Sequence, residues 1–193
     1  MITSSDHFRL TREACSGGAR IIQYRDKDSD HETLLENALA IRAVTRKNGC
    51  LFIVNDNIEV AIDSEADGVH LGQDDSSIKQ AREIAPPGFI VGISTHSMAQ
   101  ALDAERSGAD YVGFGPVFST PVKDSYKPVG IEKLKNVAAS VSIPVVAIGG
   151  ITPENAPPLA ASGASCIAMI RGFYKDTAST VKYINSLFAL KPQ

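Results

Sequence analysis

The chain has 193 residues, of which 44% are hydrophobic and 21% charged, the balance of a soluble globular protein that forms one domain over residues 1–193. A formal net charge of −3, with no run of lysine and arginine, argues against a nucleic-acid partner. No apolar run approaches membrane-spanning length and no charged-then-apolar leader stands out, so no membrane partner and a cytoplasmic location are expected.

Short apolar runs alternate with helix-like segments. Ile2-Thr3-Ser4 is a strand-like stub, and residues 20–24 form the first full strand. That strand continues through Tyr24-Arg25-Asp26-Lys27, and alternation sends Gln23, Arg25 and Lys27 to one face. Two cations and an amide on an apolar strand are costly to bury unless an anion meets them. Further strands are predicted over 51–55, 68–71, 90–94, 111–115, 144–148 and 167–170, several of them almost wholly apolar, as in a covered parallel sheet. Helices are predicted over 31–47, 76–84, 98–106, 131–139, 153–161 and 178–190, with a shorter one over 57–62. Ser97 with Gln100 reads as a capping box, and Thr152 as a cap before the first-turn Pro153. Small-residue joints recur where helices hand over to strands: Gly17-Gly18-Ala19, Ala66-Asp67-Gly68, Gly108-Ala109-Asp110 and Gly163-Ala164-Ser165.

Counting the stub, this makes eight strands, each followed by a helix. The pattern predicts an α/β fold, a TIM (β/α)8 barrel with a truncated or very short first strand. A doubly wound open sheet is the competing architecture. Cys15, Cys50 and Cys166 are odd in number, lack metal-ligand spacing and read as buried thiols in a reducing compartment.

In such a barrel the chemistry gathers at the carboxyl ends of the strands. Those positions supply Gln23, Arg25 and Lys27, then Asn55 and Asp56, Asp75, and Ser94. The last strands lead into a loop through Thr120, Pro121, Val122 and Lys123, into Gly149-Gly150, and into Ile170-Arg171-Gly172. A glycine turn lets backbone N–H groups approach an anion, and with Arg171 one strand later it suggests a phosphate site. Asp56 and Asp75 suit a hard cation such as Mg²⁺, shared with phosphate oxygens and water. Helix N-capping is the plainer role for each, and a rim salt-bridge network the plainer role for the whole cluster. His70 and His96 could each be a general base or a hydrogen-bonded structural histidine. No nucleophilic triad, dinucleotide fingerprint or Walker loop is present.

Six segments carry a family resemblance: QYRDK (23–27), VNDN (54–57), DGVHLGQDD (67–75), GISTHS (92–97), ADYVGFGPVFST (109–120) and VVAIGGITPEN (145–155). Together they resemble thiamine phosphate synthase, from about residue 18 to residue 173. The resemblance implies a TIM barrel that joins 4-amino-2-methyl-5-pyrimidinylmethyl diphosphate to 4-methyl-5-(2-phosphoethyl)thiazole. It implies that Gln23, Arg25, Lys27, Asn55, Ser94 and Lys123 hold the pyrimidine diphosphate, and that Asp56 and Asp75 bind Mg²⁺. Thr120, Pro121, Val122, Gly150, Ile170 and Arg171 would surround the thiazole phosphate. The implied chemistry is dissociative: diphosphate departs, stabilised by Arg25, Lys27 and Lys123, and the thiazole nitrogen attacks a pyrimidinylmethyl cation.

Two positions depart from the family pattern. Val122 stands where a threonine is usual, and Arg171 where a serine is usual. A lost hydroxyl removes about 0.5–1.5 kcal/mol of phosphate binding, which an inward Arg171 could offset. Three other functions compete: a thiazole tautomerase of the same superfamily, a Schiff-base lyase using Lys27 or Lys123, and a non-catalytic phosphate-ligand sensor. Asn55, Asp56, Asp75 and Pro116 favour the synthase over the tautomerase. Oligomeric state is open, a homo-oligomer included.

Overall fold

A computed structural model describes residues 1–3, 6–120, 127–173 and 176–189. Within them eight strands follow one another in a single parallel sheet: β1 (Ile2–Thr3), β2 (Ile21–Tyr24), β3 (Leu51–Asn55), β4 (Gly68–Leu71), β5 (Ile90–Thr95), β6 (Tyr111–Phe114), β7 (Val145–Ile148) and β8 (Cys166–Ala168). The Ile2 N–H donates to the Met169 carbonyl at 3.0 Å, so β1 meets the chain just past β8 and the sheet curls toward closure. The architecture is the predicted barrel with a two-residue first strand; Ser4 of the predicted stub lies outside the described residues.

Among the described residues seven α-helices cover the outside: α1 (His7–Ser16), α2 (His31–Asn48), α3 (Ile58–Asp63), α4 (Ile78–Ile84), α5 (Met98–Arg106), α6 (Gly130–Ser140) and α7 (Thr177–Phe188). The core lies between the two layers. Outward residues of the strands, such as Ile22, Tyr24, Phe52, Val69, Leu71, Val91, Val112 and Phe114, are buried against inward helix residues such as Leu10, Ile41, Val60 and Leu134.

Three local features differ from the sequence expectations. Helix α1 has no counterpart among the expected helices, because only Leu10, Thr11, Ala14 and Cys15 of its ten residues are buried. Residues 153–161 do not form an α-helix; a turn leads into a 3-10 helix over Pro157–Ala161. Pro157 and Pro158 have no N–H with which to continue an α-helical ladder. The Ser97 box is half formed: Ser97 Oγ accepts from the Gln100 N–H, while Gln100 Oε1 accepts from His96 N–H instead. The complete box caps α4, between Ser77 and Gln80.

The joint residues serve more than turning. Gly18, Gly108 and Gly163 take positive φ as expected, but in the second joint that conformation falls on Glu65. Asp67 and Asp110 repeat one device at equivalent joints. Asp67 takes two bonds from Arg42 of α2, at 2.8 and 3.0 Å, and accepts the Phe52 N–H. Asp110 pairs with Arg82 of α4 and accepts the Val91 N–H. Each aspartate thus fastens a helix to the start of a strand.

Cys15 and Cys50 are buried thiols as expected, their sulfurs 3.2 Å apart, whereas Cys166 is only half-buried. Burial, reinforced by Cys50, pushes the Cys15 thiol from 9.0 up to about 12. Burial likewise pushes the Tyr24 phenol from 10.0 up to about 12. The folded state therefore holds both protons more tightly than the unfolded chain. Their contribution to stability is complete below about pH 9 and is lost as the pH rises toward 12, by at most about 1.4 kcal/mol per pH unit for each group. A urea midpoint that stays level to about pH 9 and then falls is the expected result; a level midpoint to about pH 11 would refute it.

Candidate active site

Strand alternation turns one set of side chains into the barrel, and they meet in a cavity of about 490 Å³. Gln23, Arg25 and Lys27 line it from the end of β2, Asn55 and Asp56 from β3, Asp75 from beyond β4, and Ser94 from β5. Thr120, Gly150 and Ile170 line it from beyond β6, β7 and β8. Every predicted residue whose side chain is described is therefore brought together. Pro121, Val122 and Lys123 lie outside the described residues, and Arg171 is described through its backbone, which opens a short 3-10 turn over Arg171–Phe173.

The β2–β3 side is polar and ordered by its own contacts. Gln23 Nε2 donates to Asn55 Oδ1 at 2.6 Å, which leaves the Gln23 oxygen as an acceptor and the Asn55 amide as a donor for a ligand. Lys27 Nζ lies 3.3 Å from Asp56 Oδ2. Arg25, half-buried on the same wall, makes no ion pair among the described residues.

Asp56 stands at φ 65, and its N–H donates to the His70 carbonyl at 2.8 Å. This left-handed geometry is unusual for a non-glycine residue and aims its carboxylate at Asp75, whose Oδ2 accepts the Gly72 N–H at 2.6 Å. Burial raises the Asp56 carboxyl above its ordinary value, and the hydrogen bond and charge of Asp75 raise it further, against the opposing pull of Lys27. Neither aspartate is a helix cap. Asn57 caps α3 and Ser77 caps α4, so the plainer role falls to neighbours. Two facing carboxylates, which belong to no cluster of three possible metal ligands among the described residues, fit a hard cation that takes its other ligands from phosphate and water.

Both histidines are held. His70 Nδ1 lies 2.9 Å from the Tyr111 hydroxyl and Nε2 3.0 Å from Ser94 Oγ. His96 Nδ1 bonds the Gly115 carbonyl. Sequence reasoning missed Tyr111, along with Gln73, whose amide donates to the Ser94 carbonyl at 2.6 Å and accepts from Gln100 Nε2 at 3.0 Å. A signal for Tyr111 existed. It is an aromatic residue at an inward strand position, and its register partner on β5 is Gly92, where a Cβ would fall 2.1 Å from the phenol ring.

At the opposite side the loops after β6 and β7 meet backbone to backbone. The Phe118 N–H donates to the Gly149 carbonyl at 3.0 Å. A Cβ at Gly150 would lie 2.4 Å from the Ser119 carbonyl oxygen, at a φ of 66 that side chains rarely adopt. Gly150→Ala is expected to cost about 1–3 kcal/mol of stability through strain, read as a lower urea midpoint; an unchanged midpoint would show that the turn gives way freely.

The family model for thiamine monophosphate synthase matches residues 1–173. The chain is 51% identical over 165 residues to the thiamine-phosphate synthase of Methanocella arvoryzae, covering 85% of this chain and 78% of that protein. It is 46% identical over 176 residues to the thiamine-phosphate synthase of Coprothermobacter proteolyticus, covering 90% and 83%. Among solved structures, the thiamine phosphate pyrophosphorylase of Pyrococcus furiosus superposes with a TM-score of 0.91 at 37% identity, over 97% of this chain and 94% of that one.

Proposed function

The chain belongs to the thiamine monophosphate synthase family of transferases, and we propose that it joins 4-amino-2-methyl-5-pyrimidinylmethyl diphosphate to 4-methyl-5-(2-phosphoethyl)thiazole, giving thiamine monophosphate and diphosphate. The observation that carries this reading is a single cavity in which the cations Arg25 and Lys27 stand beside the facing carboxylates Asp56 and Asp75, with the Gly150 turn across from them.

The division of labour follows from charge. Arg25 and Lys27 hold the diphosphate and stabilise the negative charge that gathers on it as the C–O bond to the pyrimidinylmethyl carbon breaks. Mg²⁺, held by Asp56 and Asp75, would neutralise further charge on the diphosphate oxygens. Gln23 and Asn55, locked to one another, offer one acceptor and one donor to the pyrimidine. The Gly150 turn and the chain at Ile170 and Gly172 leave room for the phosphate of the thiazole, whose ring nitrogen then forms the new bond to the methylene carbon. No protein nucleophile is needed. The histidine nearest the pyrimidine end, His70, has both ring nitrogens engaged, in keeping with chemistry that runs on charge stabilisation.

The test is incubation of the purified protein with both substrates and Mg²⁺, followed by detection of thiamine monophosphate and diphosphate. Binding of both substrates without product would select a ligand-binding paralogue instead. Isomerisation of a thiazole phosphate with no use of the pyrimidine would select the tautomerase.

A further inference from the structure

Three groups from three adjacent strands form a chain that the proposed reaction does not by itself require. Tyr111 is on β6, His70 on β4 and Ser94 on β5; strand alternation turns all three inward, and His70 and Ser94 line the cavity. The barrel makes room for them with glycines. Gly92 lies opposite Tyr111 in register, and Gly113, opposite Ser94, would put a Cβ 3.1 Å from the His70 ring. His70 is buried, at 7% exposure, with both nitrogens occupied: Tyr111 hydroxyl at 2.9 Å and Ser94 hydroxyl at 3.0 Å.

Such a chain can run in two directions, and the direction decides what Ser94 offers the cavity. If His70 carried its proton on Nδ1, the ring would donate to Tyr111, and Ser94 would spend its own proton on Nε2. The phenol proton would then need another acceptor, and among the described residues the Tyr111 hydroxyl has His70 as its hydrogen-bond partner. If the phenol donates to Nδ1, every proton has a place: the ring proton sits on Nε2 and is given to Ser94 Oγ. The Ser94 proton is then free to point into the cavity. Burial holds the Tyr111 phenol in its neutral, donating form across the working pH range.

We propose that Tyr111 is a positioning residue that, through the tautomer of His70, fixes Ser94 as a hydrogen-bond donor toward an acceptor nitrogen of the bound pyrimidine ring. Only the identity of the ligand rests on the function proposed above; the direction of the relay does not. The donor state selects a ring with a lone pair at that point and disfavours one presenting an N–H.

The experiment reads the ring directly. Long-range proton–nitrogen NMR of ¹⁵N-labelled protein distinguishes the two neutral tautomers, and loss of one signal in His70→Gln assigns it among the four histidines. The expected wild-type pattern is a neutral ring protonated on Nε2. Tyr111→Phe, which removes the donor, is expected to move the unprotonated Nδ1 resonance to that of a ring nitrogen accepting no hydrogen bond. It is also expected to raise the KM for the pyrimidine diphosphate about two- to tenfold, with the KM for the thiazole phosphate unchanged. A wild-type ring protonated on Nδ1, or on both nitrogens, overturns the proposal. So does an Nδ1 resonance unchanged in Tyr111→Phe. Because the spectra need no turnover, only folded protein, the relay and the proposed reaction can fail separately.

Discussion

Replacing Asp56 and Asp75 together with alanine is expected to lower Mg²⁺-dependent kcat/KM by about a thousandfold or more, since a metal at a phosphoryl oxygen supplies several kcal/mol of charge stabilisation. The structure motivates this through the state of Asp56. Its carboxyl is raised by burial and then by Asp75, so folding disfavours its ionised form. The sign is therefore the reverse of a salt-bridged aspartate. Its contribution to stability is full in acid, below the unfolded carboxyl value, and is lost as the pH rises through the folded value. At neutral pH the carboxylate pair costs stability, and a divalent ion between the two carboxylates would return it. Titrating Mg²⁺ into the wild-type protein without substrate is expected to raise the melting temperature, and the double variant should show no rise. Wild-type activity in the double variant would remove the metal assignment. A melting temperature indifferent to Mg²⁺ in the wild type would mean that the ion enters only with the diphosphate.

The barrel was legible because its strands are apolar on both faces except where they end. Ile21-Ile22 running into Gln23, Arg25 and Lys27 announces both a covered parallel strand and a functional rim, and β3, β4 and β5 repeat that form. What escaped was either weakly patterned or non-local. Helix α1 buries only a narrow stripe, so its periodicity is submerged in polar residues. Thr152-Pro153 has the look of a helix start, yet Pro157 and Pro158 a turn later decide the matter against it. For Asp56 and Asp75, capping and metal binding could not be told apart in sequence, because Asn57 and Ser77 stand so close by. Only geometry shows that those neighbours take the capping bonds and leave the aspartates facing one another. The Tyr111 hydroxyl meets a histidine 41 residues away, and that contact depends on two glycines on neighbouring strands; no local pattern encodes it.

Arg25→Ala should raise the KM for the pyrimidine diphosphate roughly tenfold to a hundredfold, the worth of about 1.5–3 kcal/mol for charge-assisted bonds to one diphosphate. The KM for the thiazole phosphate should stay within about twofold, because the Gly150 turn that would receive that phosphate approaches from other strands. The melting temperature should not fall. Other arginines of the fold are committed to structure: Arg42 grips Asp67 with two nitrogens and Arg82 holds Asp110. Arg25 has no such carboxylate among the described residues, although it is half-buried on the cavity wall. A guanidinium partly withdrawn from water and without a counter-ion is costly to keep, and an anionic ligand is what relieves that cost. Arg42→Ala serves as the contrast. Leaving Asp67 short of its partner should lower stability by about 3 kcal/mol with little change in either KM. Equal KM losses for both substrates in Arg25→Ala would show that the two anion sites share this arginine. A melting temperature that fell as far as in Arg42→Ala would show that Arg25 braces the barrel rather than waiting for diphosphate.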